Sequence, residues 1–192
     1  MSRRSLVTVG GATALGGLAA ALLIDGTAFA AATDERPNVP TAADALLLEQ
    51  VIGLELAVSE LYRAKQAGTD GDLGAAVGVM AENHQAFAQA ISGATGLPAS
   101  AANSDIVDAN LAVFTGSDAD FLAAAHTLEQ VAAATHTDLI ARYESDDAIT
   151  LTASIALTEV RHATVLADLL GVDDLDVLFG NNESALSLGD DA

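Results

Sequence analysis

Glu159 and His162 stand three residues apart in Ile155-Ala156-Leu157-Thr158-Glu159-Val160-Arg161-His162-Ala163. On a helix both side chains leave from one face. That face is the apolar one, because Thr152, Ile155, Glu159, His162, Leu166 and Leu169 repeat at steps of three and four. Three further stripes have the same form. They are Leu48, Val51, Glu55, Val58, Tyr62; Leu73, Val77, Met80, His84, Phe87, Ile91; and Leu122, Ala125, Glu129, Ala132, His136, Leu139, Tyr143. Each is apolar except near its middle. Carboxylates crowded into a dry core cannot all stay ionised alone, and their pKa values rise until some bind protons. Divalent cations remove the conflict, and a set of oxygen and imidazole donors suits iron, manganese or zinc. The competing reading is a protonated or hydrogen-bonded polar cluster without metal.

Four long helices must bring these residues to one level. Thr41 can cap the first, with Asp44 as its capping-box partner, and Gly68 ends it near Ala67. The second is expected from about Leu73 to Ser92, stopped by Gly93 and by Gly96-Leu97-Pro98. A shorter helix, Ser104 to Phe114, falls in the crossover. The third long helix follows the Ser117 cap to about Tyr143, and the fourth runs from about Asp147 to Leu170. Abundant alanine, few aromatics and no alternating runs argue against a sheet. Helices of similar length packed up and down bring their middles together, so Glu55, His84, Glu129, Glu159 and His162 should converge.

These residues resemble the ferritin-like superfamily, most closely its secreted, desiccation-associated type. Glu55 with Tyr62 is similar to the first-helix Glu and Tyr of that family, Phe121 to Ala125 leading to Glu129 resembles its third helix, and Glu159-Val160-Arg161-His162-Ala163 matches its E-x-R-H-A signature. The resemblance covers about residues 44–171. It implies an all-α, ferritin-like four-helix bundle with a longer crossover between helices two and three. It also implies a core centre of one or two iron or manganese ions, with oxidase or peroxide chemistry in some members. Glu55 and His84 would hold one ion, Glu129 and His162 the other, and Glu159 would bridge.

The chain departs from the family pattern at two places. Ala81 stands three residues before His84 where a glutamate is expected, and Glu82 points away from His84. His136 stands where related domains often have tyrosine, and is read as an added ligand or a hydrogen-bonding partner of one. Tyr62 is either a partner of a ligand or a satisfied core tyrosine. His126 lies to one side of the stripe and is a further, weaker ligand candidate. A non-catalytic bundle with a degenerate metal site, structural or protective under stress, is the alternative function.

The ends of the chain carry different signals. Ser2-Arg3-Arg4-Ser5-Leu6, a Gly/Ala-rich apolar run and Ala28-Phe29-Ala30 resemble a twin-arginine export signal over residues 1–30. An uncleaved membrane anchor is the alternative. Residues 31–40 read as a linker, 41–171 as the bundle and 172–192 as an acidic tail. Removing residues 1–30 leaves 26 acidic against five basic side chains, and Lys65 is the only lysine. Such a surface attracts metal cations and repels nucleic acid and anionic lipid; it also suits a high-salt habitat. With no cysteine, disulfides and thiolate ligands are excluded. Periplasmic, cell-surface or extracellular residence is expected, and a homo-oligomer is left open.

Overall fold

The computed structural model describes residues 36–188. Its helices are α1 (Ala42–Gln66), α2 (Gly71–Thr95), α3 (Ser104–Phe114), α4 (Asp118–Ile140), α5 (Asp146–Leu169) and α6 (Leu175–Phe179). There is no strand among the described residues. The long helices form two hairpins, α1 along α2 and α4 along α5, with α3 laid across the connection against α1 and α4. This is the expected bundle with its longer crossover between the second and third long helices.

The starts of the helices follow from their caps. Thr41 accepts from the Asp44 amide while Asp44 accepts from the Thr41 amide, the reciprocal pair expected from the sequence. Ser117, Ser145 and Asn103 cap α4, α5 and α3 through side-chain oxygens. The ends of α2 differ from expectation. The helix begins at Gly71 and continues through Gly93, because an interior glycine weakens a helix by only about 1 kcal/mol when a packed face holds it. Gly96, at φ 76°, makes the actual stop. Helix α4 ends at Ile140, so Tyr143 reaches the core from the connecting turn rather than from a helix.

Two apolar layers flank the middle of the bundle. One holds Leu54, Val58, Tyr62, Met80, Phe114, Phe121 and Leu166; the other holds Leu48, Val51, Ile91, Leu139, Tyr143 and Ile155. Burying such side chains stabilises the fold by about 1.5–3 kcal/mol each, and here it fixes the level at which the polar residues between the layers meet. The segment after α5 is not a free tail. The Leu186 amide donates to Thr135 Oγ1, Asn181 donates to the Gln130 carbonyl, and Leu188 is buried in the second layer. Phe179 at the end of α6 is 86% exposed. Among the described residues no helix is long and apolar enough to cross a membrane. The proposed export signal lies outside the described residues.

Candidate metal centre

All five central residues of the stripes meet in the core. Glu55, His84, Glu129 and Glu159 are fully buried, as is His136, and His162 is 5% exposed. Glu55 comes from α1, His84 from α2, Glu129 and His136 from α4, and Glu159 and His162 from α5. The donor atoms fall into two groups, each within 4.8 Å: His84, Glu129, Glu159 and His162, and then Glu55, His136 and Glu159. Glu159 belongs to both. This is a buried cluster of histidine and glutamate that could bind metal. These groups place His84 with Glu129 and His162 and bring His136 beside Glu55, while His84 also keeps the expected approach to Glu55.

His84 is the hub of the contacts. Its Nδ1 lies 2.8 Å from Glu55 Oε2 and 3.7 Å from Glu159 Oε1, and its Nε2 lies 3.2 Å from Glu129 Oε1. With a carboxylate at each nitrogen, the ring can donate from both as an imidazolium. Burial opposes that charge, but Glu129 and Glu55 outweigh it and push the His84 pKa up to about 10. Burial likewise raises Glu55 and Glu129, yet hydrogen bonds from His136 and His84 leave Glu55 below the usual carboxylate range. The His84 charge, with hydrogen bonds, leaves Glu129 well below it. His136 Nε2 is 2.8 Å from Glu55 Oε1, and His162 Nδ1 is 3.2 Å from Glu129 Oε2. Tyr62 donates its hydroxyl to Glu129 Oε1 and stacks on His84 at 5.6 Å; burial pushes its own pKa well above 10. Of the two readings of Tyr62, the structure thus shows a hydrogen bond to a clustered carboxylate.

Glu159 is the exception. Neither of its buried oxygens has a hydrogen-bond partner. Burial, then the neighbouring Glu129 and Glu55, drive its carboxyl well above the ordinary range. The His136 Nδ1 is also buried and unpartnered. A buried polar group left unmatched costs about 1–3 kcal/mol, and the Glu159 carboxyl is such a group at the point common to both donor groups. That is what a cation would satisfy.

The remaining candidates lie apart. His126 is half-buried beside Gln130 and lines a groove with Val160, Val177 and Phe179; it is in neither donor group. Burial lowers its pKa. Glu82 and Arg161 are exposed, and Ala81 is buried with Leu54 and Val58. One contact was not foreseen: Asn83 Nδ2 lies 3.0 Å from His162 Nε2. Asn83 is off the apolar stripe, and no periodicity marks it.

A family model described as Ferritin-like domain matches residues 43–172 of the chain. No curated protein matches, and no solved structure matches.

Proposed function

Since the chain belongs to the ferritin-like domain family, we propose that it binds iron or manganese in the bundle core at two positions sharing Glu159. The observation that carries this is the fully buried Glu159 carboxylate, unpartnered and common to both donor groups. His84, Glu129 and His162 would complete one position, and Glu55 and His136 the other. Tyr62 holds Glu129 in place, and the apolar layers above and below exclude water. Iron or manganese there would supply one-electron chemistry toward oxygen or peroxide. His126 has no part in this set.

A second reading has its own support. The His84 imidazolium already neutralises much of the charge on Glu55 and Glu129, and Ala81 occupies the place of a further carboxylate. The bundle would then be a structural or stress-protective protein without metal. Metal content and melting curves with manganese or ferrous iron separate the two. Binding must stabilise the fold by about 3 kcal/mol at a hundredfold excess over Kd, and Glu159→Gln, which keeps the shape, should lose most of that gain. No bound metal, with equal melting temperatures in its presence and absence, would leave the metal-free reading.

We further propose that it acts outside the cytoplasmic membrane, a reading supported by Arg3-Arg4 and Ala28-Phe29-Ala30. Intact mass of the mature protein should put its N-terminus near Ala31; a mature chain starting at Met1 or Ser2 and lodged in membrane would reject cleavage of the signal.

A further inference from the structure

We infer that Asn83 is a positioning residue for His162, its side-chain amide turning over when a metal ion binds the imidazole. The inference rests on the metal reading above, and follows from which proton each neighbour of the ring demands. In the structure Glu129 Oε2 faces His162 Nδ1 at 3.2 Å, and an ionised carboxylate can only accept. Nδ1 therefore carries a proton. On the other side the Asn83 amide nitrogen faces Nε2 at 3.0 Å, and an NH2 group can only donate, so Nε2 presents its lone pair. Both neighbours select the same neutral tautomer.

That tautomer cannot bind metal in the cluster. The atom of His162 that faces Glu129 is Nδ1, and a ligand nitrogen must offer a lone pair. On binding, the ring proton has to sit on Nε2, where it needs an acceptor rather than a donor. An amide is suited to both states, because rotation by half a turn exchanges its NH2 for its carbonyl oxygen. Asn83 is not enclosed in the core. It is half-buried, and His162, at 5% exposure, is the one clustered residue not fully buried. The outer partner of a metal-binding histidine commonly changes affinity 10–100-fold. Leucine at position 83 serves neither tautomer, and aspartate accepts only, favouring the bound one.

The test uses the full chain and zinc ion alone, which is diamagnetic and suits the same donors. Nitrogen-15 spectra of the histidine rings should show His162 protonated at Nδ1 without zinc and at Nε2 with it. Asn83→Leu should weaken zinc binding roughly tenfold or more, while Asn83→Asp binds at least as tightly as the parent. Val79→Asp, one turn earlier on the exposed side of α2, adds the same charge without the contact and should change affinity no more than about twofold. Circular dichroism and the metal-free melting temperature check that each variant folds, and Asn83→Ala replaces Asn83→Leu if the larger side chain does not. Equal weakening by Leu and Asp, an unchanged tautomer on loading, or a gain from Val79→Asp matching that of Asn83→Asp would overturn the role of Asn83 alone. Failure of the parent to bind zinc, manganese or ferrous iron would overturn the metal reading and this inference together.

Discussion

At the scale of single residues, a proton and a metal ion compete for His84. Its folded pKa is about 10, above the usual value near 6.5. The stability it contributes is complete below about pH 6.5 and is lost steadily as pH rises toward 10. The raised carboxyl of Glu159 acts in the same direction, since the metal-free fold prefers it protonated. The metal-free protein should therefore melt at progressively lower temperature from pH 7 to pH 10, and His84→Gln should remove most of that slope. Metal affinity must run the other way, because coordination expels these protons. Manganese titrations over the same range should tighten with pH, and parallel slopes for stability and affinity would contradict the assignment of His84 as an imidazolium. Spacing in the sequence revealed that His84 faces the core. It could not reveal that the ring lies between Glu55 and Glu129, since that depends on how four helices are rotated against one another. For the same reason His136 was legible as a stripe residue while its pairing with Glu55, on another helix, was not.

At the scale of elements, Asp44 ties the two hairpins together. It caps α1 through the Thr41 amide, and its carboxylate also accepts from the Glu144 and Ser145 amides at the turn before α5. Burial raises its pKa, but the backbone bonds from Glu144 and Thr41 and the bond from Ser145 win and lower it. The stability it supplies is present above the ordinary carboxylate value near 3.9 and disappears as pH falls through the lower folded value. Asp44→Ala should cost about 2–3 kcal/mol in urea unfolding at neutral pH, because one buried and two part-buried amides lose their acceptor. Asp44→Asn should cost less and flatten the acid side of the stability curve. The capping half of this device was readable from Thr41 and Asp44 three residues apart; the contact to residues a hundred positions later was not. The ends of α2 show a similar limit. Gly93 and Gly96 look alike in sequence, but only Gly96 adopts the left-handed conformation that ends the helix. Nothing lies within 4 Å of a Cβ placed there. Gly96→Ala should thus cost about 1–2 kcal/mol from backbone conformation alone, seen as a lower melting temperature with unchanged helical signal.

At the scale of the whole molecule, the dominant feature is charge of one sign. The chain has 27 acidic and seven basic side chains, for a formal net charge of −20 at pH 7. Lys65 is partly spent inside, where it reaches Asp118 at 2.7 Å and the Gly116 carbonyl at 3.2 Å and sits over Phe121. Repulsion among so many exposed carboxylates opposes the compact state. Raising the ionic strength from 0.1 M to 1 M shortens the screening length from about 10 Å to about 3 Å, and that should relieve the repulsion more in the folded chain than in the expanded one. The melting temperature of the metal-free protein should rise by a few degrees between 0.1 and 1 M sodium chloride. Glu159→Gln should rise in parallel, because the substituted group is fully buried and bulk ions screen buried pairs much less. A flat or falling melting temperature would mean that surface repulsion does not limit this fold. A rise absent only from the Glu159 variant would place the salt effect in the core, through ions reaching the buried cluster itself.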